Sequence, residues 1–76
     1  MSPRLPRVTA GQVLRVLRRL GFEEVRSSGS HRILRNPAGK RVTVPFHARQ
    51  ILHPKILQSI LRDADLSPDT LRDFLK

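Results

Sequence analysis

The stretch from Thr9 to Gly21 carries the signals for the start, the buried face and the end of one helix. Thr9 and Gln12 have the spacing of a capping box, in which two side chains satisfy each other's backbone N–H groups. Gly21 supplies the left-handed conformation in which many helices end. Between these signals, apolar residues at helical spacing predict one buried stripe: Val13, Leu14, Val16, Leu17 and Leu20. We therefore predict a helix over residues 10–20.

The apolar spacing then changes from that of a helix to that of short strands. Residues 22–27 are predicted to be extended, and residues 31–35 and 41–44 are predicted to form two further strands. Turn-forming residues at 27–30 and 36–39 separate the three segments. Consecutive strands joined by such short turns predict an antiparallel meander, which has one face for the core and one for solvent.

The alternation within residues 31–35 leaves the placement of His31 open. Ile33 shares a face with His31, whereas Leu34 lies on the opposite face of the strand. Either His31 lies at the edge of the buried face, or the preceding turn directs it outward. We expect the open face of the sheet to display strand residues from one set: Glu24, Arg26, Arg32, Lys40, Arg41 and Thr43.

Two more helices complete the predicted order α-β-β-β-α-α. Pro54 suits the first turn of a helix, and His53 before it marks the start. Ser67-Pro68-Asp69 begins a short third helix with a cap, a proline and an early acid. We predict an α+β fold with a three-stranded antiparallel sheet and helices on one face. Residues 1–76 are interpreted as a single domain, in which residues 1–8 form an irregular basic arm.

The charge of the chain indicates an anionic partner. The net charge is +9, and the sections 1–62 and 63–76 carry +11 and −2. Twelve of the fifteen basic residues are arginine, which grips phosphate in a bidentate fork. Only three aromatic residues are present, which argues against a base-stacking platform. The absence of cysteine and of an apolar stretch of about 20 residues is typical of a cytoplasmic protein without a membrane partner.

A lone histidine follows the 27–30 turn, in the sequence Gly29-Ser30-His31. RNA carries its own nucleophile, the 2′-hydroxyl, so a strand-cleaving enzyme needs a base, an acid and cations around the phosphate. Histidine performs proton transfer near neutral pH, and arginine stabilises the phosphate charge. A histidine at a strand end is, however, more often a surface or capping residue. His47 and His53 have no carboxylate nearby and form a poor zinc site, so no metal is expected.

Several short motifs in this order resemble the HicA toxins, also called YcfA-like proteins, of toxin–antitoxin operons. The similarity covers nearly everything from Thr9 to Leu66. Its parts are Leu20-Gly21-Phe22, Gly29-Ser30-His31, Ile33, the segment 36–45, His47 and the segment 60–67. Two positions depart from the family pattern: Ala48 follows the loop histidine where glycine is common, and Pro54-Lys55-Ile56-Leu57 replaces a Pro-Gly-Thr-Leu run.

The resemblance implies a double-stranded-RNA-binding-domain-like fold and a ribosome-independent mRNA interferase in which His31 is essential. It also implies a HicB-like antitoxin that covers the active site. We expect His31 to be catalytic, no cofactor, mRNA as substrate, and the following RNA-binding residues: Gly29, Ser30, Arg26, Arg32, Lys40 and Arg41. Two alternatives stay open: a non-catalytic double-stranded-RNA-binding module of the same fold, and a basic adaptor for an acidic protein.

Overall fold

A computed structural model gives the fold of the chain and describes residues 5–47 and 49–75. The predicted order α-β-β-β-α-α is confirmed, with a three-stranded antiparallel sheet and helices as in double-stranded-RNA-binding domains. The elements are α1 Ala10–Arg19, β1 Glu23–Ser28, β2 His31–Arg35, β3 Arg41–Pro45, α2 Pro54–Ala64 and α3 Pro68–Leu75. No helix in the described ranges is long and apolar enough to cross a bilayer.

Helix α1 begins at the predicted capping box. The Gln12 N–H donates to Thr9 Oγ1 over 3.2 Å, and the Thr9 N–H donates to Gln12 Oε1 over 2.8 Å. The helix ends one residue before the predicted boundary, because Leu20 is already the C-cap. Gly21 follows with a φ of 97°, in the left-handed region that only glycine adopts without strain. Both ends of α1 are thus fixed by local sequence.

The segment before α1 is less irregular than the predicted arm. Residues 1–4, including Arg4, lie outside the described residues. Val8 is almost fully buried, and its carbonyl accepts a hydrogen bond from the Leu52 N–H over 2.8 Å. A single bridge between Thr9 and Ile51 follows it. The chain just before α1 is therefore paired with the chain just before α2.

Strand β2 is the centre of the sheet and pairs with β1 and β3. Its pairing with β3 sets His31 opposite Pro45 and Arg35 opposite Arg41. Backbone bonds from Asn36 to Lys40 and from Phe46 to Ser30 extend the same ladder at both ends. The alternation of the ladder makes His31 and Pro45 a non-hydrogen-bonded pair, so the proline nitrogen faces the free edge of β3 and no ladder bond is lost.

The burial of β2 settles the placement that the sequence left open. Leu34 is completely buried, as are its partner Val42 and the neighbouring Val44. Since alternate residues face opposite sides, His31, Ile33 and Arg35 lie on the face away from the core. His31 is exposed and Ile33 is half-buried. The histidine therefore points away from the helices.

Helices α1 and α2 cover the buried face of the sheet. α2 packs against β3, and α1 contacts both β3 and α3. Leu17, Leu57, Ile60 and Leu71 are among the largest fully buried side chains. Phe74 and Leu75 pack on the same core from α3, as predicted from their spacing. One apolar cluster therefore joins the helices to β2 and β3.

We predict that Leu34→Ala lowers the free energy of unfolding by about 2–5 kcal/mol, because it leaves a cavity in the centre of the core. Ile33→Ala, on the open face, should cost clearly less. Urea unfolding of the two variants and the wild type measures the difference. An Ile33→Ala variant that is destabilised as much as Leu34→Ala would contradict the assignment of the two faces.

Candidate nucleic-acid interface

The turn between β1 and β2 determines where His31 lies. Ser28 pairs with His31, so Gly29 and Ser30 are the two central residues of the turn. Gly29 has a φ of 58° and Ser30 does not have a positive φ, which is the pattern of a type II′ hairpin turn. No heavy atom lies within 4 Å of where a Gly29 Cβ would be. The backbone at Gly29 is therefore open to a ligand.

The His31 imidazole is exposed to solvent. Within residues 5–47 and 49–75, no side chain or backbone group forms a hydrogen bond or ion pair with it. Pro45 lies across from it in a non-hydrogen-bonded pair, in which the Cα atoms are about 4.5 Å apart. Both ring nitrogens are thus free for a substrate.

Three arginines share the open face with His31. Arg26 pairs with Ile33, and Arg35 pairs with Arg41. Successive rows on one face of a strand are about 6.6 Å apart, so Arg26 is one row from His31, and Arg35 and Arg41 are two rows away. In the part of the chain that the structure describes, none of the three forms a salt bridge. Glu23 is the cross-strand partner of Arg35 on this face but forms no salt bridge with it among the described residues, so the guanidinium groups can still bind an anion.

The predicted open face is correct for Arg26, Arg41 and Thr43 and wrong for Glu24 and Arg32. A β-bulge between Glu24 and Arg26 breaks the alternation of β1, so that Glu24 pairs with Leu34 on the buried side. Arg32 pairs with Val44 and lies on the same side as Leu34. The bulge in β1 adds a single residue, and the alternation of apolar and polar residues in the sequence does not reveal it.

Arg32 is held on the helix side by two contacts. Its Nη1 atom lies 3.1 Å from Glu24 Oε1, and its guanidinium carbon lies 4.8 Å from the centre of the Phe46 ring. Both contacts favour a guanidinium at this position. Arg32 thus adjoins His31 in sequence but faces the opposite side of the sheet.

Lys40 lies at the far end of β2 from the histidine. It ends the 36–40 turn, where its N–H donates to Asn36 Oδ1 over 2.8 Å. Its Nζ atom is 3.9 Å from Asp65 Oδ2. The four residue steps from His31 to Arg35 alone span about 13 Å. The structure therefore does not bring Lys40 and His31 together.

Arg35 was not among the residues expected on the open face. The signal was present, because Arg35 follows His31 and Ile33 at strict alternation. The sequence did not show which face of residues 31–35 is buried, so Arg35 could not be assigned to the open face. Once Leu34 is known to be buried, Arg35 follows directly.

The other two histidines occupy different positions. His53 is the N-cap of α2, as predicted, and its Nδ1 accepts a hydrogen bond from the Lys55 N–H over 3.1 Å. His47 is exposed, follows Pro45 by two residues, and accepts the Gln50 N–H at its carbonyl. Ala48, one of the departures from the family pattern, lies outside the described residues. No group of three or more potential metal ligands occurs within the described ranges.

Comparison with known proteins identifies the family. The family described as "HicA toxin of bacterial toxin-antitoxin" matches residues 10–66 of the 76. The chain belongs to the HicA toxin family. No protein in the curated set matches it significantly.

As a HicA toxin, the protein has a toxin role and pairs with an antitoxin. The matched region runs from the first residue of α1 to the residue before Ser67. It contains the whole sheet, and therefore His31 and the three open-face arginines. Helix α3 lies beyond it and adds Leu71 to the core of this HicA toxin.

Proposed function

We propose that this toxin is an mRNA endoribonuclease in which the His31 imidazole transfers a proton during cleavage. The observation that supports this most is an exposed imidazole on the same face as three arginines, none of which forms a hydrogen bond or ion pair through its side chain with the described residues. A proton-transfer group beside unneutralised guanidinium groups suits a phosphodiester, whose transition state carries extra negative charge. An mRNA substrate and a HicB-like antitoxin over this face complete the proposal.

The chemistry uses the substrate's own nucleophile. The 2′-oxygen attacks the adjacent phosphorus, the 2′-hydroxyl proton passes to a base, and the bond from phosphorus to the 5′-oxygen breaks as that oxygen receives a proton. The products are a 2′,3′-cyclic phosphate and a 5′-hydroxyl. Two proton transfers are needed, and a positioned side chain typically contributes about 10²–10⁴-fold to such a step.

The arginines divide by their distance from His31. A guanidinium at Arg26 is within one row of the histidine and suits the scissile phosphate, with the open backbone at Gly29 at the same end of the sheet. Arg35 and Arg41 lie one row further and suit the next phosphate along the strand. In this arrangement Lys40 does not contribute to the scissile phosphate, because it lies beyond Arg35.

The second proton transfer is assigned to His47. The hydrogen bond from the Phe46 N–H to the Ser30 carbonyl extends the ladder one residue past Pro45, and a further extended residue would set His47 one diagonal step from His31. Diagonal neighbours across an antiparallel pair have Cα atoms about 7–8 Å apart, within reach of long side chains. His53 uses its Nδ1 atom to cap α2, which fixes its imidazole at the start of that helix.

His31→Ala should abolish growth arrest and lower the rate of RNA cleavage by about 10²–10⁴-fold, since it removes one of the two proton-transfer groups. Induced expression in bacteria, with growth and total mRNA integrity followed in parallel, measures both effects. His53→Asn is the matched control, because it also removes an imidazole while asparagine remains a good N-cap. Equal toxicity of His31→Ala and wild type, with intact mRNA in both, would favour the non-catalytic RNA-binding alternative.

His47→Gln should also slow cleavage by about 10²–10⁴-fold while leaving RNA affinity nearly unchanged. A substrate with sulfur in place of the 5′-bridging oxygen identifies the role, because a thiolate leaves without a proton. If the His47→Gln variant cleaves this substrate at the wild-type rate, His47 is the acid. If instead the His31→Ala variant does so, His31 is the acid and His47 is the base. A His47→Gln variant that cleaves the normal RNA as fast as wild type would contradict the assignment.

A further inference from the structure

A second cationic surface lies on the helix side of the sheet. It is a groove of about 530 Å³ between α1 and the start of β2, and we call it the α1 groove. Leu14 and Phe46 supply its apolar surface, and four arginines surround it: Arg15, Arg18, Arg19 and Arg32. The open-face site described above uses none of these residues.

The charge of the α1 groove is only partly neutralised. Among the described residues, Glu24 is the one carboxylate that forms ion pairs with arginines of the groove, 3.1 Å from Arg32 Nη1 and 3.9 Å from Arg18 Nη2. In the described part of the chain, Arg15 has neither an ion pair nor a ring contact, and Arg19 has no ion pair but lies over the Phe74 ring, with its guanidinium carbon 5.6 Å from the ring centre. Four guanidinium groups with one paired carboxylate leave a net positive charge in the groove. A bound anion would offset the repulsion between these groups.

The α1 groove and His31 lie at the same end of the sheet on opposite faces. Arg32 is the residue after His31 on β2. Phe46 is the residue after Pro45, which pairs with His31, and its N–H donates to the Ser30 carbonyl. Only the thickness of the sheet and the exposed Gly29 turn therefore separate the two surfaces.

We propose that the α1 groove binds phosphates of the same RNA strand that is cut at His31, a few nucleotides from the scissile bond. The proposal rests on the proposed function and names a further part of its substrate site. A single strand that crosses the end of the sheet at Gly29 meets cations on both faces. All the cations in the groove are arginines, which bind phosphate through a planar fork.

The test compares Arg15→Ala/Arg18→Ala with a control of equal charge loss, Lys55→Ala/Arg62→Ala on α2, neither of which lines the α1 groove or belongs to the open-face site. The substrates are a long single-stranded RNA with a mapped wild-type cleavage site and a tetranucleotide containing that site. For the long RNA, the groove variant should raise KM about tenfold at unchanged kcat. The affinity of the groove variant for the long RNA should also depend less steeply on salt. The slope of log affinity against log salt concentration should be smaller in magnitude by about 1.4, since about two phosphate contacts disappear. For the tetranucleotide the groove variant should equal wild type.

Two results would overturn the proposal. One is an unchanged KM of the groove variant for the long RNA. This result would also overturn the proposal if the variant binds the antitoxin more weakly, because the groove would then bind the antitoxin and not RNA. The other is an equal rise in KM for both RNAs, or for the control variant, because the effect is then one of general charge. If wild type cleaves no RNA, the proposed function fails, and binding of the uncleaved long RNA by the same two variants still tests the groove.

Discussion

The pairing of β2 with both neighbouring strands is the constraint on which the candidate site depends. Leu34 is fully buried against Val42, and this burial fixes which side of β2 faces the helices. A slip of one residue would expose Leu34 and bury His31, at the cost of the core contacts. Pro45 supports the same register, because its nitrogen has no proton to donate and faces the free edge. The apolar core therefore positions a histidine that it does not touch.

Much of the fold could be predicted because its signals are local. The Thr9–Gln12 capping box, Gly21, and the cap and proline that begin α2 act over a few residues, and each occurs where predicted. Val8 was not expected to be bonded in the fold, because its partner Leu52 lies far along the chain. Sequence spacing describes a helix or a turn well, but it does not reveal a pairing between distant segments.

The candidate site was predicted less completely, for a related reason. His31 and Arg26 were named from their position near a turn, and both lie on the open face. Arg32 was named for the same reason, yet contacts with Glu24 and Phe46 hold it on the other side. The bulge after Glu24 and the burial of Leu34 decide these placements, and both depend on strand pairing. The result is a basic end of the sheet with cations on two faces.

The chemistry of the cut ends tests most directly whether the protein uses the 2′-hydroxyl of its substrate. Purified toxin would be incubated with a defined RNA, and the fragment ends would be identified by mass spectrometry. The account predicts a 2′,3′-cyclic phosphate and a 5′-hydroxyl, and no cleavage when the sugar before the cut lacks its 2′-hydroxyl. Fragments with a 3′-hydroxyl and a 5′-phosphate, or unchanged cleavage of the deoxy-substituted RNA, would contradict it.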